Sequence, residues 1–559
     1  MSHTLVSRLM HWATEQPDAM YMTQPLEETK VQTFTWEQTF TQVKQFSAYL
    51  LQLDLPPQSK IAIIGENSAH WIIADLAIMM AGHVSVPLFP SLDAKTAAYV
   101  FDHSEVKAAF IGKMTSNLES WQSLKTVVEQ FSLHTITTPM APTDAKGTIW
   151  DQVLATTTPL ANNSISLPNE EDLATIIYTS GSTGLPKGIM HCARSMLSVQ
   201  SAFAMTKNDR LISYLPLAHA AERALIETCS LVFGCPIYFS HNQETFLQDM
   251  QRAQPTVFFS VPRLWLKFYK NVRAQLPEEH WSLLCAGKLP EAGKQAIISS
   301  LGLAQTRIAI TGSAPTPEEV INFFLNLDLE LLDCYGMSEN FANSHVTRAG
   351  QIRVGYVGSP NDGVNVKLSD DGEILVQSPG QMMGYYKQED KTKADMTAEG
   401  YFKTGDRGEI DELNRLKITG RAKDIFKTSK GKYVAPAPIE RQLATNTLFG
   451  SVCVMGDGYP NPFAVATLNL EMGLDATHLS TADKEQIEQQ VNAILNTVNE
   501  TLPPYERLAF LTITSDQWTP QNGLLTPTLK IKRPDIESRY LPLAETWFGF
   551  GKNCHWHYS

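Results

Sequence analysis

The chain predicts an α/β fold with a large N-terminal domain built on mostly parallel sheets and a smaller α+β C-terminal domain. Three observations predict it. From residue 60 to about 340, short apolar runs alternate with amphipathic stretches, the pattern of strands joined by crossover helices. After residue 350 the runs shorten and are separated by turns, as in an antiparallel or barrel-like β region. From Gly420 onward, short strands mix with a polar helix.

In chain order, the predicted strands are 60–65, 83–89, 106–111, 173–179, 210–216, 256–261 and 307–312, each a short apolar run. Helices are predicted over 94–101, 220–233 and 262–275. Residues 71–89 are apolar enough to resemble a membrane span. Asp75, Gly82, His83 and Pro87 break that reading in favour of a buried helix followed by a strand. Runs at 364–369, 372–377 and 415–418 form the antiparallel region, with Asp370-Asp371-Gly372 as a hairpin turn. The helix over 481–501 is stopped by Pro503-Pro504. A domain boundary is expected at Arg421 to Asp424, dividing the chain into 1–420 and 421–559.

With 559 residues, the chain is too long for one hydrophobic core. A net charge of −13 argues against nucleic acid as the main partner, although the basic cluster from Lys423 to Lys432 could serve an anionic nucleotide. Met1 to Trp12 lacks the charged start and apolar block of a secretory signal. Seven cysteines without C-x-x-C pairing fit a reducing compartment better than a disulfide framework or zinc site. A cytoplasmic location is therefore expected.

The most informative stretch is Tyr178-Thr-Ser-Gly-Ser-Thr-Gly-Leu-Pro-Lys187-Gly188. Hydroxyls of Thr179, Ser180, Ser182 and Thr183 alternate with Gly181 and Gly184, and Lys187 follows. Glycines let backbone N–H groups approach an anion, hydroxyls donate to its oxygens and lysine adds a mobile charge. On composition alone this would be a flexible turn. The strand directly before it and Pro-Lys-Gly directly after it make a polyphosphate cradle the better reading. It is not the common P-loop, because the second glycine of that pattern is Pro186 here.

This loop resembles the phosphate loop of the adenylate-forming superfamily, which includes acyl-CoA synthetases, peptide-synthetase adenylation domains and beetle luciferases. The resemblance continues in order through Leu215-Pro-Leu-Ala-His219, Thr311-Gly-Ser-Ala-Pro315, Tyr335-Gly-Met-Ser-Glu339, Tyr401-Phe-Lys-Thr-Gly-Asp406, Gly420-Arg-Ala-Lys-Asp424 and Leu525-Thr-Pro-Thr-Leu-Lys530-Ile-Lys-Arg533. Tyr214 to His219, Val261-Pro-Arg-Leu-Trp265, Gly384-Tyr-Tyr-Lys387 and Lys427 to Pro436 look most like long-chain fatty acyl-CoA synthetases.

The resemblance implies an N-terminal AMP-binding domain and a C-terminal domain that is mobile about Lys423. It implies activation of a fatty acid by ATP to acyl-AMP, followed by thioester formation with coenzyme A. Thr179 to Lys187 would hold the β- and γ-phosphates. Glu339 would hold Mg²⁺, a hard ion suited to carboxylate oxygen. Gly312, Ser313, Ala314 and Pro315 would line the adenine pocket, with Tyr335 against the ring. Gly336, Met337 and Ser338 complete that turn, Ser338 replacing a more usual threonine. Asp406 would accept from both ribose hydroxyls, Arg421 would contact the ribose and α-phosphate region, and His219 would position the carboxylate.

Lys530 would bridge that carboxylate and the α-phosphate, although Leu529 stands where the family has glycine. Lys532 competes for that role, since strand-like alternation would put both lysines on one face. Lys430 and Gly431 would flank the pantetheine channel. The segment from Ala220 to Arg223 departs from the family's more aromatic pattern and leaves chain length open.

Several alternatives remain at this stage. They are a fatty acyl-AMP ligase loading a carrier protein, a medium-chain or aryl acid–CoA ligase, and a nucleotide-binding scaffold without turnover. A luciferase-type oxygenation is formally open, though nothing marks an oxygen-handling pocket. An amphiphilic substrate is compatible with peripheral membrane contact, but no strongly basic amphipathic helix demonstrates it.

Overall fold

The computed structural model describes residues 4–26, 30–115, 118–179, 185–470, 473–520, 522–526 and 530–558. Two large sheets dominate. In the first, of eight strands, Leu173–Thr179, Val84–Leu88, Lys60–Ile64, Ala108–Ile111, His134–Thr137 and Thr148–Ile149 run parallel. Lys187–Cys192 and Gly384–Tyr385 extend it antiparallel. In the second, of nine strands, the parallel centre is Leu331–Tyr335, Ile308–Gly312, Val257–Ser260, Leu211–Ser213, Ile237–Phe239 and Met20–Pro25.

The apolar runs of the parallel strands are explained by burial on both faces. In Lys60–Ile64, Ile61 and Ile63 enter the core between the two sheets, whereas Ala62 and Ile64 enter the core on the opposite face. Helix Ala69–Met80 lies in the first of these cores with every side chain buried, and strand Val84–Leu88 follows it. The ambiguous apolar stretch is thus a core helix and a strand. No helix among the described residues is long and apolar enough to cross a membrane.

Strands Asn365–Leu368, Glu373–Gln377, Phe402–Ile410 and Leu416–Arg421 form a four-stranded antiparallel sheet, in the region where turn-separated runs were expected. The last part of the chain forms another four-stranded sheet from Phe449–Met455, Phe463–Leu468, Leu511–Thr514 and Cys554–His557. Helices Pro436–Ala444 and Thr481–Thr501 cover one face, and Arg533–Phe550 covers the other. Ser480 caps the helix Thr481–Thr501 through a reciprocal pair with Asp483.

Three details differ from the sequence expectation. The N-terminal hairpin Met20–Pro25 and Val31–Thr35 joins the edge of the second sheet, far from the strands near it in sequence. The predicted strand 210–216 pairs only over Leu211–Ser213, because the following residues turn to bind Asn67 and Glu222 instead. The helix expected over 220–233 contains a π-helical segment, Arg223–Thr228. That segment begins at Arg223, whose fully buried guanidinium reaches Asp75 (2.5 Å), Glu227 (3.1 Å) and the Thr175 hydroxyl (2.7 Å).

Candidate active site

The loop rich in serine, threonine and glycine connects an antiparallel strand pair, with Thr179 directly opposite Lys187. Ser180, Gly181, Ser182, Thr183 and Gly184 lie outside the described residues. Gly188 is required for close packing, since a Cβ there would stand 3.0 Å from Tyr178 Cζ. Pairing from residue 187 onward aims the Lys187 side chain at Glu339, 3.6 Å away. Tyr385 joins them. Its hydroxyl donates to Glu339 Oε1 at 3.0 Å and lies 3.3 Å from Lys187 Nζ, which stands over its ring. Burial lowers the Lys187 ammonium pKa, partly offset by the Glu339 charge.

Glu339 belongs to the 3₁₀ turn Ser338–Asn340, just beyond the carboxyl end of strand Leu331–Tyr335. This is where open α/β sheets gather ligands. The turn is steadied by His191, whose Nε2 donates to the Ser338 carbonyl at 2.7 Å, and by Asn340 Oδ1, which accepts from Met337 N at 2.9 Å. Gly336 packs so tightly that a Cβ would stand 2.6 Å from the Ala342 backbone. On the neighbouring strand, Gly312 is held in the same way against the Cys334 carbonyl, 2.9 Å from its hypothetical Cβ. Ser313 then adopts a left-handed φ of 69°, and Ala314 and Pro315 are exposed beside it.

Tyr335 reaches the antiparallel sheet, where its hydroxyl donates to Asp406 Oδ2 at 2.7 Å. Asp406 and Arg421 are register partners, and Arg421 Nε lies 3.3 Å from Asp406 Oδ1. Burial raises the Asp406 pKa, opposed by the Arg421 guanidinium. An arginine, a phenol and a carboxylate therefore meet at one edge of the cleft.

Lys530 approaches from the C-terminal part of the chain. Its backbone N–H donates to Thr526 Oγ1 at 3.0 Å, and its carbonyl accepts from Thr526 N at 2.7 Å. The side chain is open to the cleft, yet surrounding protein, and then Arg421, lower its pKa to about 8 against the pull of Asp406. Across the cleft, burial lowers the His219 pKa to about 4, helped by the Lys530 charge. Lys530 and Lys532 do not form the expected strand. One bridge pairs Leu525 with Ile531, and Lys532 turns to Asp535 at 3.0 Å at the start of helix Arg533–Phe550.

His219 caps the short helix that follows it, its Nδ1 accepting from Ala221 N at 3.2 Å. The approach to it is held by buried Glu222, which accepts from Ser213 Oγ and Tyr214 N, and by Asn67 Oδ1, which accepts from Leu217 N. Burial pushes the Glu222 carboxyl up to about 8 against those donors. Beside His219 opens a small, partly open cavity walled by Ala220, Ala224, Phe259 and Gly336 among others.

Lys423 is exposed in the turn after Arg421, where Asp424 and Ile425 donate back to the Arg421 carbonyl. Lys430 Nζ donates to Asn461 Oδ1 at 2.9 Å. Gly431 occupies a tight turn at φ 77°, where a Cβ would meet only the Lys427 side chain at an ordinary 3.9 Å, so backbone geometry, not close approach, requires glycine there. The two parts of the chain also meet away from the cleft. Lys270 Nζ donates to the Asn446 carbonyl at 3.0 Å, and Arg441 faces buried Asp333. Burial raises the Asp333 pKa to about 8, opposed by the Arg441 charge.

Tyr385, His191, Asn67 and Glu222 have no assigned role in the sequence reading. Tyr385 falls within the quoted word Gly384-Tyr-Tyr-Lys387, but nothing in a lone tyrosine announces that it will join a lysine to a glutamate across the sheet.

The AMP-binding enzyme family model matches residues 9–386, and the AMP-binding enzyme C-terminal domain matches residues 423–546. The chain belongs to the AMP-binding enzyme family. Among curated relatives it is similar to fatty acyl-CoA synthetase A of Dictyostelium discoideum, at 27% identity over 93% of this chain and 86% of the relative. It is also similar to the long-chain-fatty-acid–CoA ligase FadD15 of Mycobacterium tuberculosis, at 28% over 90% of each.

The fold matches the A domain of a carboxylic acid reductase from Segniliparus rugosus with a TM-score of 0.79 at 20% identity, covering 98% of this chain and 94% of that one. It also matches the anthranilate CoA ligase AuaEII with a TM-score of 0.78 at 18% identity, covering 97% and 98%.

Proposed function

We propose that this protein is a fatty acid–CoA ligase acting through an acyl-adenylate, with residues 1–420 as the AMP-binding domain and 421–559 as a mobile domain hinged near Lys423. The observation that carries the reading is the convergence of Lys187–Glu339, Tyr335–Asp406–Arg421, His219 and Lys530 on one cleft. Resemblance to acyl-CoA synthetases across nearly the whole chain supports the choice of acid and acceptor. A long-chain acid is the preferred substrate class within this reading.

In the first step a carboxylate oxygen attacks the α-phosphorus of ATP, forming acyl-AMP and releasing pyrophosphate. Such chemistry depends on positioning and charge neutralisation. Lys187 and the serine-threonine-glycine loop would hold the β- and γ-phosphates. Asp406 would accept from the ribose hydroxyls while Tyr335 and Arg421 orient it. Lys530 would offset charge where the carboxylate and α-phosphate meet. His219, kept neutral by burial, would border the carboxylate.

No group of three or more His, Cys, Asp or Glu side chains that could hold a metal occurs among the described residues. A lone carboxylate, Glu339, fits Mg²⁺, which is held by few protein ligands together with substrate phosphates. When bound, Mg²⁺ would neutralise phosphate charge. In the second step the thiol of coenzyme A attacks the acyl carbonyl and AMP departs. Rotation at Lys423 would withdraw Lys530 and present the turn of Lys430 and Gly431 to the pantetheine arm. The reading also places the enzyme in the cytoplasm.

The test is ATP-dependent pyrophosphate release across acids from acetate to oleate and aryl acids, with free CoA and holo-carrier protein as alternative acceptors. Turnover of fatty acids with CoA is expected. Transfer to carrier protein alone would instead favour an acyl-AMP ligase, and a preference for benzoates would favour an aryl acid ligase. Failure to convert ATP to AMP with any acid would reject the enzyme reading.

A further inference from the structure

Strand Lys187–Cys192 follows the serine-threonine-glycine loop and sends alternate residues to one face, so Lys187 and His191 point the same way. Both act on one turn. Lys187 Nζ meets the Glu339 carboxylate at 3.6 Å, and His191 Nε2 donates to the carbonyl of the preceding Ser338 at 2.7 Å. The next carbonyl, that of Glu339 itself, accepts from Met382 N at 2.8 Å.

The turn has to be held from outside. It leaves through Phe341 and Ala342, both left-handed at φ 50° and φ 60°, a conformation disfavoured for residues that carry a Cβ. Such backbone persists where its surroundings dictate it, and it gathers at functional sites. His191 supplies part of that hold. Its ring packs against Phe341 with centroids 5.1 Å apart, while its Nε2 fixes the Ser338 carbonyl. A carbonyl oxygen only accepts, so in the neutral ring Nε2 carries the N–H, and Nδ1 is left to accept from the Ser195 hydroxyl at 3.1 Å. The ring is fully buried, so it acts on a ligand only through the turn.

We propose that His191 is a positioning residue for metal-dependent ATP binding: by fixing the Ser338 carbonyl it sets the direction of the Glu339 carboxylate before nucleotide arrives. The proposal rests on the reading of Glu339 as the carboxylate that holds Mg²⁺ beside the phosphates. A group that orients a metal ligand from behind tunes affinity without touching the metal, and its loss typically costs about 10- to 100-fold. The ribose side of the cleft, built on Tyr335, Asp406 and Arg421, takes no hydrogen bond from His191 and keeps its hold on metal-free nucleotide.

The experiment measures ATP binding to the full-length protein by calorimetry, once with Mg²⁺ and once with EDTA, and takes the ratio of the two dissociation constants. Mg²⁺ should tighten binding in the wild type. His191→Leu should cut that enhancement by about tenfold or more, while metal-free binding stays close to that of the wild type. His191→Gln, whose amide nitrogen reaches as far as Nε2, should restore most of the enhancement, and the shorter His191→Asn should not. An enhancement unchanged in His191→Leu would overturn the proposal. So would an equal loss with and without Mg²⁺, which is what a purely structural role gives. Should His191→Leu not fold, His191→Gln and His191→Asn decide, and equal enhancement in those two would overturn it. No Mg²⁺ enhancement in the wild type would remove both the proposal and the metal role of Glu339. Pyrophosphate release with an acid would then still show the ligase reading standing by itself.

Discussion

Lys530 is held in a setting that weakens its own charge, with protein crowding it and Arg421 nearby lowering its pKa to about 8. If it neutralises the meeting anions, adenylation requires its protonated form, which is lost as pH rises through the free-enzyme pKa. The kcat/KM for ATP in pyrophosphate exchange should therefore fall on the alkaline side with a midpoint near pH 8. Lys530→Arg, permanently charged, should lose that limb. Lys530→Ala should abolish exchange yet leave thioester formation from supplied acyl-AMP largely intact, and equal loss of both half-reactions would refute the assignment. The competing Lys532 instead pairs with Asp535 at 3.0 Å, at the start of helix Arg533–Phe550. Sequence phase alone did not separate the two lysines, because it predicted a strand where the described residues make one isolated bridge at Ile531 and then a helix start.

At the scale of elements, the segment 220–233 combines a buried charge cluster with an irregular helix. Its apolar pattern correctly marks helical structure, but one arginine serving Asp75, Glu227 and Thr175 accompanies a π-helical stretch. Removing one partner of a buried ion cluster leaves uncompensated charge and costs about 3–5 kcal/mol. Arg223→Met should lower stability by roughly that amount in urea unfolding, visible as a reduced midpoint at unchanged slope. The triple change Asp75→Leu, Arg223→Met and Glu227→Leu should recover most of the loss. If Arg223→Met were neutral, the cluster would not be holding the segment. The sequence placed the parallel strands well because continuous apolar runs report burial on both faces. It did not reveal the N-terminal hairpin, whose partner Ile237–Phe239 is distant in sequence.

For the whole molecule, the observed arrangement brings the C-terminal part against the cleft, with Lys530 facing Asp406 and His219, Arg441 facing Asp333, and Lys270 bound to Asn446. If the small domain must rotate about the exposed turn at Lys423, stiffening that turn should separate the two half-reactions. Lys423→Pro, which restricts φ and removes a donor, should preserve pyrophosphate exchange while suppressing acyl-CoA output. Overall turnover equal to wild type, measured as CoA thioester formed per minute, would count against the rotation.

The family, the α/β architecture and the linear order of the candidate site residues were determined by sequence, because strand periodicity and short motifs are local properties of the chain. The tertiary structure alone decided which of those residues meet: Tyr335 with Asp406, Lys187 with Glu339 through Tyr385, and Lys530 with the Asp406–Arg421 edge. Contacts between distant segments, and the desolvation that tunes their charges, depend on how whole elements pack, which no local pattern encodes.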